Sequence, residues 1–148
     1  MLVCDNVTNA ANIGSLFRVC DAFGIEKLIL CGNITLGRKI TKTSRATEKV
    51  VDFEINESAF SVVKNLKAKG FQIISLEITS SSKPIHTVPF SKEKPIALIV
   101  GDENFGISET ILKSSHAVVH INMYGNNSSM NVVQATNIAL YELTKLLL

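Results

Sequence analysis

Apolar and polar positions follow two rhythms along this chain. Continuous apolar runs at Leu2–Cys4, Lys27–Cys31, Val50–Phe53, Phe71–Leu76, Ile96–Val100 and Ala117–Ile121 read as strands. Several lack polar alternation, which suits strands covered on both faces. Between them lie helical patterns: Ile13–Phe23, with Leu16, Val19, Cys20 and Phe23 on one face, and Ser58–Lys69, with Phe60, Val63 and Leu66. Gly24 and Gly70 fall where these helices should stop, at positions that favour a left-handed cap. The order predicts an α/β fold with a mostly parallel sheet flanked by helices. The segment from Met130 to Leu148 keeps helical spacing but is apolar on more than one face. Such a helix sits deep in its own domain or packs on a second subunit. Ser80–Pro84 reads as a surface loop, and no repeat or linker divides the chain, so residues 1–148 are expected to form one domain.

With 46% hydrophobic and 19% charged residues in 148, a packed core is feasible and disorder is excluded. Cys4, Cys20 and Cys31 show no CxxC spacing and lie in apolar surroundings, which predicts buried thiols in a reducing cytoplasm. No apolar run approaches the roughly 18 residues of a membrane span. A net charge of +2 says little about partners, but its distribution says more: Arg38, Lys39, Lys42, Arg45 and Lys49 face only Glu48 between Gly37 and Lys49. That segment is either a solvated loop or a phosphate-contacting surface.

Three segments carry candidate chemistry. Gly101-Asp-Glu-Asn-Phe-Gly106 follows an apolar run and precedes a helix expected to start near Ser108. Its glycines permit tight turning and close backbone approach to a ligand, whereas Glu103 could simply favour the helix N-terminus. The dinucleotide fingerprint would need a glycine where Glu103 stands, which counts against a nicotinamide oxidoreductase. Gly125-Asn-Asn-Ser-Ser-Met-Asn131 precedes the last helix, so Ser129 or Asn131 could serve as its cap. Its hydroxyls and amides would also orient a nucleoside without fixed charge. In Asn12-Ile-Gly-Ser-Leu-Phe-Arg18, Gly14 allows close approach, and Arg18 is either a surface cation or, inside a pocket, the partner of Glu103. His86, His116 and His120 lack neighbours at metal-ligand spacing, so no metal site is expected. Loops leaving the carboxyl ends of strands share a crevice in such sheets, which predicts one pocket for these segments.

Together the three segments resemble the SpoU/TrmH-like branch of the SPOUT RNA methyltransferases. Asn12–Arg18 is similar to the family's first motif, Ile99–Gly106 to its second, and Ile121–Gly125 with Ser129-Met-Asn131 to its third. The resemblance implies an α/β fold with a C-terminal deep trefoil knot, and transfer of a methyl group from S-adenosylmethionine to a ribose 2′-hydroxyl. It implies Gly101, Ile121 and Met130, with Leu76 as a further addition, as cofactor contacts. It assigns Arg18, Asn12, Glu103, Ser129 and Asn131 to the reaction, with Arg18 acting as general base or as an orienting, charge-stabilising group. Asn122 stands where the family commonly has proline, Met130 where leucine is usual and Asp102 where serine is frequent.

The resemblance further implies a homodimer, which would give the apolar final helix a partner. The chain begins almost at its first strand, so no N-terminal RNA-binding extension is expected and RNA capture falls to the catalytic domain. The expected partner is RNA, tRNA ahead of rRNA, with Arg38, Lys39, Lys42 and Arg45 as candidate contacts. A catalytically silent RNA-binding module is the competing reading.

Overall fold

The computed structural model describes all residues, 1–148. Seven strands form one parallel sheet in the order β3-β2-β1-β6-β4-β7-β5. The strands are β1 (Leu2–Asp5), β2 (Leu28–Cys31), β3 (Phe53–Asn56), β4 (Gln72–Leu76), β5 (Lys83–Pro84), β6 (Ile96–Gly101) and β7 (Ala117–His120). Helices α1 (Ala10–Ala22), α2 (Arg38–Ser44), α3 (Ala59–Ala68), α4 (Glu109–Ser114) and α5 (Val132–Thr144) cover it. Leu2 and Cys4 of β1, Leu28 and Leu30 of β2, and Leu98 and Val100 of β6 pack beneath α1 and α5. The alternate residues Val3, Ile29, Cys31, Ala97 and Ile99 pack beneath α3 and α4. Both faces are therefore apolar and the period of two is hidden, which is why these strands read as continuous runs.

Local chemistry sets the helix boundaries. Asn9 accepts the amide of Asn12 at 3.0 Å and Ser58 that of Ser61 at 3.2 Å, each cap worth about 1 kcal/mol. Gly24 and Gly70, with φ of 60° and 90°, turn the chain out of α1 and α3 as their spacing predicts.

Two expectations change. The strand expected over Val50–Phe53 lies at Phe53–Asn56, because Thr47–Lys49 forms a 3-10 turn that leaves Val50 exposed. The basic segment is mostly helical rather than a loop. In α2 only Ile40 and Ser44 are buried, while Arg38, Lys39, Lys42, Arg45 and Lys49 are exposed and form no ion pairs. Gly14 explains how α2 docks: a Cβ there would lie 2.4 Å from the Ile40 carbonyl oxygen and 2.9 Å from the Ser44 amide nitrogen. The close approach expected at Gly14 is thus made by α2. Ser80–Pro84 ends in the two-residue edge strand β5, paired with β7 through Lys83–Val119 and Pro84–His120.

Candidate active site

Loops from the carboxyl ends of β4, β6 and β7 enclose one open cleft of about 640 Å3, mouth included. Leu76, Gly101, Ile121 and Met130 all line it, as do Glu103 and Ser129. The β6 loop is held shut by backbone and carboxylates. The Gly106 amide donates to the Asp102 carbonyl at 2.7 Å, and the Asp102 carboxylate accepts the amides of Asn104 and Phe105 at 3.1 and 2.9 Å. Asp102 thus caps two amides of a tight turn with one carboxylate oxygen, Oδ2. A Cβ on Gly101 would lie 2.4 Å from the Gly106 carbonyl carbon and 2.5 Å from the Ile107 nitrogen. Only glycine lets the loop fold back this closely.

Two further carboxylates, which sequence reasoning missed, anchor the same loop. Glu77, just past β4, accepts the Ile107 amide at 3.0 Å, and Asp5, at the end of β1, accepts the Ser108 amide at 2.9 Å. The available signal was position: each is an acidic residue closing an apolar strand. Helix α4 itself starts at Glu109 after Ser108, so Glu103 is not its first-turn acid.

Glu103 instead joins the three segments. Its Oε1 accepts Asn12 Nδ2 at 2.5 Å and Asn131 Nδ2 at 3.3 Å. Asn131 Nδ2 also donates to Asn12 Oδ1 at 3.3 Å, while its own Oδ1 caps α5 by accepting Val133 N at 2.8 Å and Gln134 N at 3.3 Å. Capping and site-building are therefore one arrangement of Asn131. The expected Arg18–Glu103 pair does not form: Arg18 is exposed on α1 and takes part in no ion pair. The reason is rotation. At about 100° per residue, six positions turn a side chain about 240° around the helix, so Asn12 and Arg18 leave different faces. Ser129 lines the cleft without joining this network.

The lining suits a nucleoside carrying an alkylated sulfur. Ile78, Ile121, Met123, Met130 and Ala135 offer apolar surface for a flat base and a methyl group, and Glu77, Asp102 and Glu103 make the lining acidic, which suits a ligand with positive charge. No cluster of three His, Cys, Asp or Glu side chains is placed to hold a metal ion. Burial pushes the thiols of Cys20 and Cys31 up to about 12 and that of Cys4 well above its ordinary value, so none is poised as a nucleophile.

Known proteins share this sequence and fold over nearly the whole chain. The chain is 32% identical over 143 residues to a tRNA (guanosine(18)-2′-O)-methyltransferase of Aquifex aeolicus, covering 96% of this chain and 67% of that protein. It is 30% identical over 146 residues to a 23S rRNA (guanosine(2553)-2′-O)-methyltransferase of Bacillus subtilis, covering 97% of this chain but 57% of that one. The crystal structure of the A. aeolicus TrmH/SpoU tRNA modifying enzyme superposes with a TM-score of 0.87 at 29% identity, over 99% of this chain and 74% of that one. An AdoMet-bound rRNA methyltransferase from Sinorhizobium meliloti shares the fold, with a TM-score of 0.89 at 23% identity over 99% of this chain and 56% of that one. The sequence model of the SpoU rRNA methylase family matches residues 1–141, a span that holds the cleft and all three converging segments, and the chain belongs to that family.

Proposed function

We propose that this protein methylates a ribose 2′-hydroxyl of RNA with S-adenosylmethionine as donor, and that tRNA is its substrate ahead of rRNA. The observation that carries the reading is the junction of Asn12, Glu103 and Asn131 beside the cleft, whose wall Glu103 shares. Leu76, Gly101, Ile121 and Met130 would hold the cofactor, whose sulfonium, when bound, supplies an electrophilic methyl group and a neutral thioether leaving group. The residues of this chain supply alignment, and proximity of that kind is worth several kcal/mol.

Asn12 and Asn131 fix the Glu103 carboxylate, and Ser129 adds a hydroxyl at the cleft wall. A guanidinium carries five donors and no acceptor, so Arg18, exposed on α1 outside the Glu103 junction, would meet the ribose of bound RNA from the solvent side, orienting its oxygen and stabilising charge on it rather than taking its proton. As the oxygen–methyl bond forms, the hydroxyl proton passes to water at the open mouth. Arg18 has no partner in the protein to give up for this role.

Arg38, Lys39, Lys42 and Arg45 stand exposed on and beside α2, which is docked on the helix that bears Asn12 and Arg18. Such unpaired cations suit phosphate contacts. The half-exposed Ile138 and Tyr141 of α5 support a homodimer, and three unpaired cysteines support a reducing, cytoplasmic setting. No helix is long and apolar enough to cross a membrane.

Methyl-labelled cofactor incubated with separate pools of unmodified tRNA and rRNA, followed by mapping of alkali-resistant linkages, tests the reaction. Label confined to bases would sink the 2′-hydroxyl assignment, and absence of transfer would favour the silent RNA-binding module. Arg18→Ala should bind cofactor normally and lose about two orders of magnitude in turnover, the loss typical of removing one transition-state donor. Turnover within a few-fold of wild type would remove Arg18 from the mechanism.

A further inference from the structure

We propose that the loop Asn122–Asn127 is a seat for an unpaired nucleobase, next to the cleft and distinct from it; the inference rests on the RNA reading above. The loop forms a shallow bowl floored by Met123 and Met130, both of which also line the cleft, so the two depressions share a wall. Tyr124 stands at its rim with 93% of its surface exposed. On the β6 loop, which lines the same cleft, Phe105 is 91% exposed.

Leaving two aromatic rings in water is costly, and covering either with a ligand face is favourable. The molecule places both on the loops that frame its reaction site. Their surroundings decide what covers them. Asn104 precedes Phe105 in the chain, and Asn122, Asn126 and Asn127 line the bowl of Tyr124 beside Met123 and Met130, so exposed amides mix with the apolar surface there. Asn131 uses its side chain for the cap and the Glu103 junction, whereas Asn122, Asn126 and Asn127 keep their amide groups open at the bowl. A π-face beside unspent neutral donors and acceptors matches an unstacked base, which is held by aromatic stacking and read along its edge by hydrogen bonds. A nucleotide adjacent to the methylated one would enter this bowl once its neighbour's ribose is presented to the donor methyl group at the mouth of the cleft.

The chain contains no tryptophan, so Tyr124→Trp creates a single emission reporter at the rim. Its emission should be quenched by a short single-stranded RNA of mixed sequence and much less by the same RNA annealed to its complement. In steady-state assays Tyr124→Ala should raise KM for RNA about tenfold, the effect of losing one stacked base. Tyr124→Phe should restore it and Tyr124→Leu should not, while cofactor affinity stays within about twofold in all of them and reports an intact fold. Leucine serving as well as phenylalanine would overturn stacking. An emission change that follows protein concentration without RNA would show that a second protein surface covers the ring instead. RNA that binds and is methylated with no change at this reporter would remove the base seat alone; an enzyme that binds no RNA would remove the RNA reading and the seat together.

Discussion

Replacing Gly14 by alanine should pry α2 away from α1. The new methyl carbon would lie 1.8 Å from Thr43 Oγ1, 2.4 Å from the Ile40 carbonyl oxygen and 2.9 Å from the Ser44 amide nitrogen. Rotation of Thr43 relieves the first contact, but the other two are backbone, so α2 must retreat by roughly 1 Å to reach ordinary contact distance. Overpacking of this kind costs about 1–3 kcal/mol, and alanine in place of an interior helical glycine returns about 1 kcal/mol. Two backbone contacts place the cost in the upper part of that range, about 2–3 kcal/mol, so the balance is a net loss of about 1–2 kcal/mol, or roughly 2–8 °C in melting temperature for a domain of this size. A urea or thermal titration reads the loss, and RNA-binding assays read its consequence. Because α2 carries Arg38, Lys39 and Lys42 on its exposed side, RNA affinity should fall more than cofactor affinity. Thr43→Ala added to Gly14→Ala should recover only part of the stability, since the carbonyl contact persists. A Gly14→Ala protein as stable as wild type, or more so, would refute the close-packing argument, because helix propensity would then be the only term acting.

Gly101→Ala meets backbone alone, at 2.4–2.7 Å from Gly106 and Ile107, so the β6 loop should open and cofactor affinity should drop at least about tenfold by calorimetry; unchanged affinity would mean the loop closes without glycine. The three buried thiols, held protonated by burial, should resist alkylation in the native protein at mildly alkaline pH and react together on unfolding; rapid native labelling of any of them would contradict their packing. The His116 imidazole is held below its ordinary 6.5, first by burial and then by Lys67 and Lys94, and its Nδ1 accepts the Ile73 amide at 2.9 Å. The unfolded chain then binds the proton more readily, so stability is complete above about 6.5 and declines as pH falls through the native value. His116→Gln should flatten that limb of a pH series of urea titrations, and an unaltered slope would assign it to other groups.

Most of the sheet was legible because its strands are apolar on both faces and end at glycines or acids. What escaped notice did so for physical reasons. Helix α2 has just two buried positions, Ile40 and Ser44, too few to impose a helical stripe on a basic, threonine-rich segment. β3 sits at the sheet edge with Glu54 and Ile55 exposed, so its apolar content is no higher than that of the turn before it. Within the site, the converging segments were visible from their small and amide residues, but the partner of Glu103 was not. Sequence places an arginine and a carboxylate in the same motif set, and charge alone pairs them. The rotation of α1 between Asn12 and Arg18 instead presents an amide, leaving the cation outward. Asp5 and Glu77 were overlooked because an acid after a strand has many uses, and only the path of the β6 loop shows that its amides come to them.

The junction on Glu103 also has a history in time. Its hydrogen bonds span 91 residues from Asn12 to Glu103 and 119 from Asn12 to Asn131, nearly the length of the chain. Contacts so distant in sequence must await closure of the loops between them, and they reward the chain only after that entropy has been lost. Sheet and helices can therefore take shape around β1 while the site is still in pieces. During synthesis, no ribosome-bound fragment lacking Asn131 can carry the completed junction, so competence arrives last, with the final helix.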